Sequence, residues 1–165
     1  MRTFFAAIRT VFYAVCFVLF WGWLASRVRG YDARLDIAVS PAWKPVGMLV
    51  MLVGGVIVLA CLASFVLRGR GTPAPFDPPV AFVPSGPYRY VRNPMYIGAA
   101  LALAGYGLWE RSAAVALFSL AFLAIFHVFV VLVEEPGLER RFGESYLAYK
   151  RMVRRWLPRR PPASS

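Results

Sequence analysis

Acidic residues are scarce in this chain: eight Asp and Glu stand against 19 Lys and Arg, a formal net charge of +11. Nucleic acid is nevertheless not the expected partner. The basic residues lie beside apolar runs rather than on a soluble binding motif, and anionic lipid headgroups account for them better. Histidine occurs once and cysteine twice. Cys16 and Cys61 have no metal-ligand spacing, so no metal site is expected, and both read as small buried hydrophobes. There is no P-loop and no dinucleotide fingerprint, and the sequence ends PPASS without a lipidation box. Charged residues of all kinds make up only 16%, too few for an ordinary soluble domain.

What is present in quantity is apolar, 59% of the residues, and it is arranged in runs. One extends from Val11 to Ala25, with Arg9 near its start where the side chain can snorkel to the interface. It is read as a retained span rather than a cleaved signal, because the rest of the chain is equally membrane-like. A second runs uncharged from Val46 to Leu67, long enough as a helix to span roughly 33 Å. A third follows Pro94 and stops near Trp109, only about 24 Å of helix; it either crosses the bilayer or turns back within it. The fourth runs from Ala113 to Val133 and forms a helical hairpin with the third across Glu110, Arg111 and Ser112. The expectation is an all-α integral membrane protein with about four transmembrane helices, this hairpin and a C-terminal amphipathic interfacial helix.

Charge placement orients the model. With the N-terminus inside, the outer segments hold only Arg27, Arg29, Arg34, Lys44 and Arg111, and every other basic residue falls on the inner side. That bias puts both termini in the cytoplasm, as expected in a bacterial inner membrane. The chain divides into two N-terminal spans (1–67), a core of cytoplasmic loop, hairpin and C-terminal segment (68–158), and a disordered tail (159–165).

Two polar concentrations interrupt the apolar chain on the cytoplasmic side. The first, GPYRYVRNPMYIG, ends a Gly- and Pro-rich connector with a helix-start signal, Asn93 as N-cap and Pro94 at the first helical position. The exposed amides of that first turn favour an anionic group, and Arg89 and Arg92 add cations that either grip a carboxylate or phosphate or anchor the protein to headgroups. The second, EEPGLERRFGESYLAYKRMVRRWLP, places Glu134 and Glu135 at the end of the fourth run, where a helix C-terminus disfavours acids. Leu138, Phe142, Tyr146 and Tyr149 then fall at spacings of one helical face, predicting a helix along the membrane surface. His127 precedes Glu134 by two helical turns and reads as a hydrogen-bonded packing residue.

These two blocks, in this order and separated by an apolar hairpin, resemble the membrane methyltransferases of the isoprenylcysteine carboxyl methyltransferase and phospholipid methyltransferase superfamily, from Val80 to Pro158. The resemblance implies an integral membrane enzyme that binds S-adenosylmethionine at its cytoplasmic side and takes a lipid-borne or prenylated methyl acceptor laterally from the bilayer. It implies cofactor contacts at Val80, Ala81, Phe82, Val83, Tyr88, Asn93, Pro94, Met95, Tyr96 and Glu134. Glu134, Glu135 and Arg89 are the expected catalytic groups, and Arg92, Tyr146, Tyr149, Arg155 and Trp156 the expected acceptor-binding ones. The chemistry is consistent, since a sulfonium, a zwitterion and a ribose diol want aromatic faces or carboxylates, arginine or amides, and an acid.

The superfamily's branches divide over this chain. The C-terminal FGESYLAYKRMVRRWLP looks like the isoprenylcysteine branch, which makes a C-terminal S-isoprenylcysteine carboxyl O-methyltransferase type the leading expectation. NPMY also looks like the phospholipid N-methyltransferases, and Val130 stands where eukaryotic isoprenylcysteine enzymes carry an arginine. Phosphatidylethanolamine N-methylation is therefore the alternative. A non-enzymatic membrane scaffold or lipid-binding protein is the rival of another class.

Overall fold

The computed structural model describes residues 2–69 and 85–158, with side chains at 8–67 and 85–158, and every regular element among them is helical. In chain order they are α1 (Arg2–Arg29), α2 (Asp32–Leu35), α3 (Lys44–Ser64), α4 (Pro94–Trp109), α5 (Ala113–Phe129), α6 (Glu135–Phe142) and α7 (Glu144–Met152). Of the connector expected from Arg68 to Pro94, residues 70–84 lie outside the described residues, as does the expected tail 159–165.

Three segments are long and apolar enough to cross a membrane: Ile8–Arg29, Pro41–Leu67 and Ala113–Phe142. The fourth apolar run is α4, with 16 residues. It does not turn back. Gly105 lies against Gly47 and Met51, and Gly98 against Gly54, so α4 runs antiparallel along α3 over most of the latter's length. Pro94 fixes where α4 starts. At its other end the chain turns through Arg111, at φ 60°, and Ser112 opens α5 by accepting the Val115 amide through its hydroxyl at 3.1 Å.

Small residues make that approach possible. A Cβ at Gly54 would stand 2.4 Å from the Gly98 carbonyl oxygen and 2.5 Å from the Ala102 amide nitrogen, both backbone atoms that cannot swing aside. In lipid, where helix association relies on close packing rather than on burial from water, such contacts hold the pair together. Gly54→Val is therefore expected to cost about 1–3 kcal/mol or more by forcing the helices apart. Thermal unfolding in detergent measures it, and an unchanged midpoint would mean the helices do not meet there.

Aromatic rings fasten α1 to α5: Trp21 packs on Phe122 with ring centroids 4.7 Å apart and lies within 5.8 Å of Phe118 and 5.7 Å of Phe126. At the end of the bundle where α1 meets α2, Asp32 accepts a hydrogen bond from the Ala114 amide at 2.9 Å, capping α5 from α2, and Arg29 pairs with Glu110. Large apolar side chains such as Val18, Leu19, Val56 and Leu59 stay about two-thirds exposed. In water that surface would be a liability, but hydrocarbon is a matched solvent for it.

At the opposite end, where Glu134 and Glu135 lie, two expectations change. The helix holding Glu134 does not stop there: it widens into a π-turn over Val130–Glu134, with the Glu135 amide donating to the Val130 carbonyl, and continues as α6. Pro136 explains this, because it donates no amide hydrogen bond and its ring crowds the carbonyl four residues back, which a wider turn relieves. The acidic pair thus lies inside a helix, not at an unfavourable C-terminus. Beyond it the single surface helix is instead two, α6 and α7, broken at Gly143, and Tyr146 and Tyr149 alone of the expected face are buried.

Candidate active site

The site begins where the chain re-enters the helical core. Gly86 has φ +62°, and a Cβ there would stand 2.5 Å from the Ser64 hydroxyl, so the 3-10 turn Gly86–Arg89 sits flush on the end of α3 only because that residue is glycine. The turn delivers Tyr88 between α3 and α4. Its ring packs edge-on against Phe65 at 5.4 Å, and its hydroxyl bonds with Cys61. Burial pushes the Tyr88 phenol well above its ordinary range, with Cys61 and Glu134 adding to the effect, so it acts as a neutral hydrogen-bonding group.

Asn93 stands at the N-cap position of α4, as expected, but its side chain does not cap the helix. Its amide donates instead to the Arg155 carbonyl at 3.2 Å, while the Arg92 amide donates to the Arg154 carbonyl at 2.9 Å. The C-terminal segment after α7 is thereby strapped across the start of α4. Tyr149 tightens the strap from α7 by donating its hydroxyl to the Tyr88 carbonyl at 2.7 Å. Burial raises the Tyr149 phenol and pushes Tyr146 up to about 12, so both hydroxyls stay protonated at neutral pH. Trp156 ends the strap with its indole N–H donating to His127 Nδ1 at 3.0 Å, which gives the histidine the packing role the sequence suggested.

The two adjacent acids have separate environments. Glu135, with 5% of its side chain exposed, is a hub for cations. Arg155 grips it bidentately at 2.7 and 3.0 Å, Arg92 Nη1 lies 3.2 Å away, and Lys150 Nζ lies 3.4 Å away while also pairing with Glu139. Glu134 turns elsewhere. Tyr96 donates its hydroxyl to Glu134 Oε2 at 2.9 Å, and among the described residues no cation lies within ion-pair distance of this carboxylate. The Tyr96 ring is itself stacked on Phe126, with centroids 4.4 Å apart and planes at 23°.

Tyr96 also lines an apolar groove of about 420 Å³ between α1, α3, α4 and α5. Tyr13, Phe17, Val58, Leu62, Met95 and Ala99 are among its walls. Tyr96 thus links the two features, its ring lining the oily groove and its hydroxyl bonding Glu134, an arrangement that suits chemistry on the polar end of a lipid-like molecule.

Of the residues singled out from sequence, Tyr88, Asn93, Pro94, Met95, Tyr96, Glu134, Glu135, Arg92, Tyr146, Tyr149, Arg155 and Trp156 converge on this region. Arg89 is exposed and no contact ties it to the cluster among the described residues. Val80, Ala81, Phe82 and Val83 lie outside the described residues. Three participants escaped the sequence reading. Cys61 faces Tyr88 rather than inert packing alone, Lys150 is a third cation on Glu135, and Phe126 carries Tyr96. The only sequence signal for Phe126 is its i, i+4 spacing from Phe122.

The chain's relatives fit this arrangement. A family model described as phospholipid methyltransferase matches residues 43–145, which takes in α3 to α6 together with Tyr96, Glu134 and Glu135. A Haemophilus influenzae protein described as uncharacterized is 36% identical over 63 residues, covering 38% of this chain and all of that protein. No solved structure matches at a significant level. With well over half of its length under the family model, and both the α3–α4 pair and the acidic pair inside the matched region, this multi-pass membrane chain belongs to the phospholipid methyltransferase family.

Proposed function

We propose that the protein transfers a methyl group from S-adenosylmethionine to the polar end of a lipid-borne acceptor whose apolar chain lies in the groove. The observation that carries this reading is Tyr96: its ring lines the apolar groove while its hydroxyl bonds Glu134, an acid that faces no cation among the described residues. A carboxylate in that position wants a positive partner. The residues fit the cofactor in a second respect, because Arg92 and Ser85 bury polar atoms that take no hydrogen bond in the chain itself. Tyr88, Tyr96 and Glu134, together with the turn leading into α4, would hold it. The cofactor supplies, when bound, a methyl carbon already attached to a good leaving group.

The protein's own contribution is positioning, desolvation and proton handling. Tyr96 fixes Oε2 of Glu134, which leaves Oε1 to hold an acceptor ammonium and take its proton. The apolar walls exclude water from that transfer. An amine acceptor such as an aminophospholipid is the first reading, since an acid without a cation complements it and a carboxylate acceptor would need no base. A prenylcysteine carboxylate is the second, favoured by the arginines and aromatic residues of the C-terminal strap. The cytoplasmic orientation of this end follows from the charge bias and belongs to the same proposal.

Methyl-labelled S-adenosylmethionine given to the protein in nanodiscs, with phosphatidylethanolamine or farnesylcysteine, tests the reading. Base-stable label in the lipid extract is expected. Label released as volatile methanol by base would assign the carboxylate acceptor, and no transfer by a folded, cofactor-binding protein would leave the scaffold reading in front. Filling the groove offers a further check: Ala99→Phe is expected to raise the KM for the lipid acceptor about tenfold or more while leaving cofactor affinity within about twofold. Equal loss of both would place the acceptor chain elsewhere.

A further inference from the structure

We infer that Arg92 is the seat of a ligand oxyanion, an assignment that rests on the methyltransferase reading and specifies one pole of its site. The Arg92 side chain is only 9% exposed and hydrogen-bonds with Tyr146, yet its Nε and Nη1 are buried without a hydrogen bond among the described residues. Burying a guanidinium is costly unless its donors are satisfied, and a purely structural arginine uses them on carbonyls or carboxylates.

Glu135 does not fill that need. Its two oxygens are taken bidentately by Arg155 and shared with Lys150, and Arg92 Nη1 approaches one of them at 3.2 Å without a hydrogen bond. Around the hub, among the described residues, Arg92, Lys150 and Arg155 face the carboxylates of Glu135 and Glu139, three positive charges against two negative ones. Arg92 is the buried member of the three, with 9% of its side chain exposed against 35% for Lys150 and 29% for Arg155. It also stands one residue before Asn93, the N-cap of α4, a 16-residue helix whose amide end adds to the positive potential.

Two residues further into α4 from its first proline, Tyr96 bonds Glu134. A fixed cation at Arg92 and a fixed anion at Glu134 therefore flank the same helix start and complement a zwitterion. The oxyanion has two chemical sources in this reaction: the carboxylate at the aminoacyl end of S-adenosylmethionine, or the phosphodiester or carboxylate of the acceptor headgroup. Either would form charge-assisted hydrogen bonds with Nε and Nη1.

Calorimetry on the full chain in nanodiscs separates them, with S-adenosylmethionine and its decarboxylated analogue titrated into wild type, Arg92→Gln and Arg92→Lys. If the cofactor carboxylate takes the seat, wild type prefers the carboxylated form by about 10- to 100-fold, and Arg92→Gln erases that preference while Arg92→Lys retains part of it. If the acceptor takes it, Arg92→Gln leaves cofactor affinity unchanged and raises the acceptor KM by a similar factor. Should Arg92→Gln fail to fold, the wild-type comparisons decide: cofactor against its decarboxylated form, and a phosphate- or carboxylate-bearing acceptor against one lacking that group. Indifference in both comparisons, or a folded Arg92→Gln that changes neither quantity, overturns the assignment while leaving the methyltransferase reading intact. A wild type that binds no S-adenosylmethionine at all overturns both.

Discussion

Glu134→Gln is expected to lower methyl transfer about 10²- to 10⁴-fold, the range that loss of a positioned proton-transfer group produces, while the helices remain folded. The substitution is nearly isosteric. The new amide oxygen can still accept the Tyr96 hydroxyl that Oε2 accepts at 2.9 Å, so the contact between α4 and the π-turn survives. What disappears is the negative charge and the ability to take a proton. Tyr96→Phe makes the complementary change: the stack on Phe126 stays, the hydroxyl goes, and a smaller loss of about tenfold is expected because Glu134 keeps its charge but loses its fixed orientation. The measurement is turnover of labelled methyl groups in nanodiscs, with thermal unfolding and cofactor titration on the same preparations. If the Gln variant keeps more than half of the wild-type rate, Glu134 is not the proton acceptor, and the amine reading loses its main support.

Glu135→Ala is expected to act on stability rather than chemistry, and strongly. Removing this carboxylate leaves Arg92, Lys150 and Arg155 close together without the anion that now holds them. Breaking a buried ion pair from one side costs about 3–5 kcal/mol, and the lower end applies here because Lys150 and Arg155 keep about a third of their side chains in solvent. The damage should be local. Arg155 sits in the strap that Arg92 and Asn93 tether through the carbonyls of Arg154 and Arg155, so the segment beyond α7 should detach before the helices part. Trypsin cleavage after Arg151 and Arg154 should accelerate about tenfold or more, and the unfolding midpoint in detergent should fall. Glu135→Gln, which keeps hydrogen-bond acceptors for Arg155, should be milder. Protease resistance and a midpoint equal to wild type would show that the cation hub does not hold the strap.

The adjacent acids have different partners, Tyr96 for one and the cations for the other, and nothing in the pair Glu134–Glu135 distinguished them along the chain. The π-turn is the reason they part. Residues one position apart on a helix already point about 100° from each other, and the widened turn hands Glu134 to Tyr96 and Glu135 to the C-terminal cations. Asn93 makes a related point. The sequence marks it correctly as the residue before the helix, but the use of its amide was decided by a carbonyl 62 residues away. Local propensity can nominate a cap, yet a long-range acceptor in a low-dielectric setting outbids the local one.

By itself the sequence determined the solvent and the broad architecture. Uninterrupted apolar runs admit only helices in lipid, because every backbone polar group must be paired within its own segment. The punctuation of Pro94, the Glu110–Ser112 turn and the glycines of the third run fixed where α4 begins, where it ends and which helix it can touch. The two polar blocks also pointed to the candidate site, since ionisable groups at a membrane edge are costly to keep without partners. Only the tertiary structure decided which acid bonds Tyr96, which arginine keeps two buried nitrogens without a hydrogen bond among the described residues, and that the surface helix breaks into two beneath a strap. Each of these depends on partners far apart in the chain, Tyr96 with Glu134, Arg92 and Arg155 with Glu135, Trp156 with His127, and such pairings are set by how helices stack, which no local pattern of residues encodes.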